Sequence, residues 1–164
     1  MDKKNTEQDL GYRSPQVCKV VGITYRQLDY WDRSGLLVPS LQVASGSGTQ
    51  RLYTFQDIVT LRVIKRLKDA GTSLNKIRSA FEQLEDQVGE DWRESDITLL
   101  SDGTSIYAAT SPEEVIDLLK GGQGVFGIAV RPVHDEVRGE LHKLFPDRAI
   151  GAVSNENLAG ASGT

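Results

Sequence analysis

The chain has 164 residues, 38% hydrophobic and 26% charged, which is enough apolar material for a packed core in one domain or two small ones and argues against wholesale disorder. No apolar run approaches the roughly 20 residues of a membrane-spanning helix, and the one cysteine, Cys18, excludes an intramolecular disulfide or a multi-cysteine metal cluster. The net charge of −4 conceals a split: residues 11–84 carry +6 and residues 85–164 carry −9, so the front half suits a polyanion that the rear half would repel.

Residues 1–10 are polar and aperiodic and are expected to be a disordered lead without the apolar stretch of a secretory signal. The simplest compartment is therefore the cytoplasm. Ser14-Pro15 signals a helix start, with Ser14 as N-cap and Pro15 at the first helical position. The first helix buries Val17, Val20 and Val21 and ends at Gly22. Thr24 and Gln27 form a capping box for a second helix that stops at Gly35. Two short helices joined through one glycine outline a helix-turn-helix. Short β-capable stretches at 36–38, 41–43 and 51–53 flank Ser45-Gly46-Ser47-Gly48, the pattern of a wing hairpin with a flexible tip.

Thr54 and Asp57 cap a third helix, with apolar Ile58, Leu61, Ile64 and Leu67 on one face. Gly71 ends it. Along the fourth helix, Leu74, Ile77, Phe81, Leu84, Val88 and Trp92 approach a heptad seam. A dimerisation helix over residues 73–94, pairing through Leu84, Val88 and Trp92, is the expectation. In the acidic half, residues 97–109 read as a hairpin turning on Asp102-Gly103 in a type I′ turn. Ser111-Pro112-Glu113-Glu114 starts a helix, residues 125–130 read as a buried strand, and Val137, Leu141 and Leu144 share one face of a last helix. Residues 146–164 read as a flexible tail. The expected fold class is thus a mainly α winged helix-turn-helix at residues 11–84, followed by a small α+β (β-β-α-β) module with its last helix at residues 95–145.

Arg26, Tyr30 and Arg33 lie four and three residues apart, on one face of the second helix, with Leu28 and Trp31 opposite. A guanidinium grips a phosphate or the O6/N7 edge of guanine through two bonds, and the Gln27 amide matches adenine. Thr24 and Tyr25 stand at the helix N-terminus, where free N–H groups favour a phosphate. Arg51 and Tyr53 on the wing return, and Arg13 and Ser14 at the first helix start, complete the expected DNA contacts.

The runs ITYRQLDYWDRSGLL and RLYTFQDIVTLRVIKRLKDAGTSLNKI resemble the DNA-binding domain of MerR-type transcription regulators. Arg26, Tyr30-Trp31, Gly35-Leu36-Leu37, Arg51-Leu52-Tyr53, Asp57-Ile58, and Gly71 with Ser73, Leu74 and Ile77 carry the likeness. It implies a homodimer that binds double-stranded promoter DNA, distorts it between the elements read by RNA polymerase, and works on the nucleoid. Asp29 departs from the pattern, standing where a basic residue is common. Metal-sensing members place cysteines near the dimer helix, whereas Cys18 sits in the first helix and suits a buried apolar role. The acidic module resembles the C-terminal part of small, cell-division-linked regulators often called FtsR-like.

No cofactor, metal site, catalytic constellation or membrane partner is expected. Residues 122–127 spell G-x-G-x-x-G, but a helix precedes and a strand follows, the reverse of a dinucleotide site. His134 and His142 read as surface or helix-flank residues. Two alternatives share the same front half: an excisionase-like architectural DNA binder, and a protein-interaction adaptor that uses the acidic module.

Overall fold

A computed structural model describes residues 11–41, 50–120, 122 and 124–147. The expected lead at 1–10, the wing tip within 42–49 and the tail from 148 onward lie outside the described residues. The elements in order are β1 (Tyr12–Arg13), α1 (Ser14–Val21), α2 (Tyr25–Arg33), β2 (Leu52–Tyr53), α3 (Phe55–Asp69), α4 (Leu74–Val88), a 3-10 turn (Glu90–Glu94), β3 (Thr98–Ser101), β4 (Ile106–Ala109), α5 (Pro112–Leu119), β5 (Phe126–Ala129) and α6 (Val130–Leu144). Among the described residues the protein is mainly helical with two small sheets. The described residues divide into two compact units, those up to Ile58 together with those from Glu136 onward, and those between Val59 and Asp135, the division running inside α3 and α6.

In the first unit, α1 ends where Gly22 turns left-handed (φ 81) and its N–H bonds the Cys18 carbonyl at 2.9 Å. The helix begins one residue earlier than expected: Arg13 is the N-cap and Ser14 is the first helical residue, buried. Val17, Val20, Val21, Leu28, Trp31, Ile58, Val137 and Leu141 are core residues of this unit. Its two-stranded sheet pairs Tyr12 with Tyr53 and Arg13 with Leu52, antiparallel. The expected wing hairpin drew on the β-capable stretches 36–38, 41–43 and 51–53, and its described base differs from that expectation. Leu52 and Tyr53 spend their ladder on the segment before α1, and Leu36–Val38 are not a strand. Across the wing base, Leu41 N–H bonds the Leu52 carbonyl at 3.2 Å.

In the second unit, the three-stranded sheet has the order β4-β3-β5, with both pairings antiparallel. Leu99 faces Ala108 and Ile128 across the ladders. The β3–β4 connection differs from the expected two-residue turn. Ser101 pairs with Ile106, leaving a four-residue loop, and the Asp102 carboxylate accepts the N–H groups of Thr104 (2.8 Å) and Ser105 (2.7 Å). Those side-chain bonds add to a backbone bond across the loop, from Asp102 N–H to the Ser105 carbonyl at 3.3 Å.

The expected dimerisation seam is corrected here. α4 stops at Val88, because Gly89 adopts φ 96 and ψ 178, which no helix can contain. Trp92 consequently leaves the helix and turns back onto Phe81, ring centroids 5.1 Å apart. Trp92 and Leu84 are buried within the single chain, and of the three seam residues only Val88 is exposed. His134 is also corrected. α6 starts at Val130, four residues before the expected start, which turns His134 inward to a buried position.

Candidate nucleic-acid interface

α2 begins with the capping box anticipated from Thr24 and Gln27. The Gln27 N–H donates to Thr24 Oγ1 at 3.1 Å, and the Thr24 N–H donates to Gln27 Oε1 at 3.0 Å. The Gln27 carbonyl oxygen is thereby held at the helix start. At 3.6 residues per turn, three faces separate. Leu28 and Trp31 are buried. Arg26, Tyr30 and Arg33 lie on the opposite side and are exposed, Tyr30 by 58%. About a quarter-turn away, Tyr25, Asp29 and Asp32 repeat the same four-and-three spacing.

Arg51 lies along that third stripe. Its Nη2 donates to Asp29 Oδ1 at 2.6 Å, its Nη1 donates to the Tyr25 hydroxyl at 3.2 Å, and its Nε stands 2.6 Å from Asp32 Oδ2. The guanidinium carbon also sits 5.9 Å from the Tyr25 ring centroid. Arg33 Nε reaches the other Asp29 oxygen at 3.0 Å. The hydrogen bond from Arg51 outweighs partial burial and, with the charge of Arg33, holds the Asp29 carboxyl below the usual carboxylate range. Burial alone would lower Arg51, but its bond to Asp29 and the charge of Asp32 raise it instead.

The expected contacts thus fall into three groups. Thr24, Tyr25 (59% exposed), Arg26, Gln27, Tyr30 and Arg33 are together on or at the start of α2 and open to solvent, and Arg13 is exposed beside α1. Arg51 is near but engaged, its side chain only 11% exposed. Tyr53 and Ser14 are buried and so lie off any DNA-facing surface. Tyr53 is covered because its strand pairs with Tyr12, and burial pushes its hydroxyl up into the permanently neutral range. Sequence reasoning missed Asp29 and Asp32 as partners of Arg51. Their spacing with Tyr25 was a usable signal, but the arginine that meets them is 19 or more residues away in the chain.

Asp57 anchors the other side of the wing base. Its carboxylate accepts Ser40 N–H (2.8 Å), Ser40 Oγ–H (2.6 Å) and Thr54 N–H (3.0 Å), while the Asp57 N–H donates to Thr54 Oγ1 at 3.0 Å. The Asp57 side chain thus completes the capping box of α3 with Thr54 and ties down the segment leading into residues 42–49. Cys18 is half-buried, and desolvation raises its thiol. Among the described residues no cluster of three His, Cys, Asp or Glu is placed to hold a metal ion, and no helix is long and apolar enough to cross a membrane.

Residues 12–84 match the MerR HTH family of regulatory proteins. An uncharacterized HTH-type transcriptional regulator of Mycobacterium tuberculosis is 50% identical over 153 residues, 93% of this chain and 67% of that relative. The chain belongs to the MerR family. It is a transcriptional regulator of that family. The HTH-type transcriptional regulator HmrR of Sinorhizobium medicae is 33% identical over 63 residues, 38% of this chain and 41% of the relative. A MerR-family transcriptional regulator from Bacillus cereus is similar over 45% of this chain and 53% of its own, at 34% identity and a TM-score of 0.39. The matched segment of this MerR-family chain spans α1, α2 and the Arg51 cluster, and ends at Leu84, within α4.

Proposed function

We propose that this MerR-family regulator binds promoter DNA sequence-specifically, as a dimer, and distorts the duplex between the elements read by RNA polymerase. The observation that carries the reading is the face of α2 opposite Leu28 and Trp31. Arg26, Tyr30 and Arg33 stand there in one exposed stripe, and Arg26 has no ion pair among the described residues. A helix that buries one side in a helix-turn-helix and offers arginine and tyrosine on the other fits a major groove. Residues 11–84 are the DNA-binding part in this reading, residues 95–145 a separate module, and the protein acts on the nucleoid in the cytoplasm.

The dimer contact does not use Leu84 or Trp92, which the single chain already buries. Light scattering of the intact chain measures the dimer directly. For the interface, Arg26→Ala is titrated against DNA selected by the wild-type chain. Loss of affinity and of sequence preference is the expected result. Unchanged binding would remove α2 from the interface.

A second reading, a protein-docking role for the acidic module, draws support from α5. That helix has no buried residue, with Ile116 53% and Leu119 46% exposed beside Glu113, Glu114 and Asp117. RNA polymerase is the partner this reading puts first. Ile116→Ser with Leu119→Ser should abolish its capture by the intact chain while leaving DNA binding unchanged.

A further inference from the structure

We infer that Arg51, Asp29 and Asp32 form a clasp that positions the recognition helix, and that Arg51 itself is not a phosphate contact. The inference rests on the DNA-binding reading of α2. Each nitrogen of the Arg51 guanidinium stands against an α2 side chain: Nη2 and Nη1 hydrogen-bond Asp29 at 2.6 Å and the Tyr25 hydroxyl at 3.2 Å, while Nε lies 2.6 Å from Asp32 Oδ2 as an ion pair outside hydrogen-bond geometry. All three charged side chains are largely covered, at 11% for Arg51, 21% for Asp29 and 14% for Asp32. Swinging Arg51 out to a phosphate would leave two half-buried carboxylates facing each other without their shared cation, which is a costly rearrangement.

The same cluster also sets the charge of the reading face. Asp29 holds Arg33 as well as Arg51, so the two arginines and two aspartates together are neutral. Arg33 stays exposed but is paired to Asp29, and Arg26, flanked by Tyr30, is the stripe's arginine without an ion pair among the described residues. The clasp reaches across the wing base, because Arg51 immediately precedes β2 and Leu52 bonds Leu41 on the entering side. Asp57 pins that entering side through Ser40. Both feet of residues 42–49 are thereby tied to helices, one to α2 and one to α3. Helix and wing base meet a duplex as one preformed piece, which favours a sequence that fits the fixed geometry over one that does not.

Binding is measured with the intact chain. The probes are a fluorescent duplex selected by the wild-type protein from random-sequence DNA and a scrambled duplex of equal length. Arg51→Ala and Asp29→Ala are titrated singly and together over a range of KCl. The clasp predicts that each single variant loses about tenfold in preference for the selected duplex, and that the double variant loses no more than the worse single one, as residues acting as a unit do. It also predicts that Arg51→Ala keeps the wild-type salt slope. A phosphate contact instead lowers that slope by about one and multiplies with the Asp29 loss, and either result overturns the inference. Arg51→Lys keeps the charge but lacks the fork that spans both aspartates. It should lose preference as Arg51→Ala does, and full retention would equally overturn the clasp. Should Arg51→Ala not fold, Arg51→Lys carries the test. A wild-type chain that selects no sequence overturns the DNA-binding reading itself, a failure seen before any variant is made.

Discussion

Arg51 Nη2 lies 2.6 Å from Asp29 Oδ1, across 22 residues of chain, and the bond fixes the end of the wing segment to the middle of α2. The pair is electrostatic, so it carries a pH signature. The folded-state pKa of Asp29 is depressed, first by the Arg51 hydrogen bond. A depressed carboxyl contributes stability that is fully present above its unfolded value of about 3.9 and is lost as pH falls through the folded value. Asp29→Asn should therefore melt below wild type at neutral pH, with the gap closing under acid. A gap that is constant with pH in thermal melts would assign the loss to packing alone.

Trp92 belongs to the core of its unit. Its ring meets Phe81 at 5.1 Å between centroids and carries the Arg93 guanidinium at 4.7 Å. Trp92→Ala should cost about 3–5 kcal/mol, the usual loss for truncating a buried aromatic. Val88→Ala, at an exposed position, should stay within about 0.5 kcal/mol. Urea unfolding of the two variants distinguishes this arrangement from a seam in which both residues face a partner.

Gly89 holds φ 96 and ψ 178, a region essentially reserved for glycine, although a Cβ there would meet nothing within 4 Å. Gly89→Ala should therefore destabilise through backbone strain alone, by about 1–3 kcal/mol. Denaturation midpoints measure it. An unchanged midpoint would mean that the α4 terminus relaxes, and Trp92 would then be free to leave Phe81.

Asp57 accepts three hydrogen bonds from Ser40 and Thr54 and is itself buried. Asp57→Ala strands the backbone donors of Ser40 and Thr54 but keeps the bond from the residue-57 N–H to Thr54 Oγ1, at a cost of about 1–3 kcal/mol. Asp57→Asn keeps acceptor capacity on one oxygen and should fall between Ala and wild type. Hydrogen exchange at the Ser40 amide should accelerate in both variants, and more in Asp57→Ala.

Helices were legible in the sequence because their signals are local. Thr24 and Gln27 announce the start of α2 three residues apart, and the apolar spacing of α3 places Ile58, Leu61, Ile64 and Leu67 in the core. The exposed stripe Arg26, Tyr30 and Arg33 follows from helical periodicity once Leu28 and Trp31 are assigned inward. The turn at Asp102 was half legible. The dipeptide marked the place, but the carboxylate's two side-chain bonds decided a longer loop.

Local signals were enough for the presence of the helices, the capping box of α2, the charge split and the solvent face of α2, since each is read from composition or from residues within about two turns of one another. Tertiary structure alone decided that Tyr53 pairs with Tyr12, that Trp92 returns to Phe81, and that Arg51 settles on Asp29 and Asp32. A strand of two residues carries no period, a glycine break releases whatever follows it, and an arginine bears no mark of which anion it will meet. Those outcomes come from competition among distant groups for the same partners, and only the folded chain resolves it.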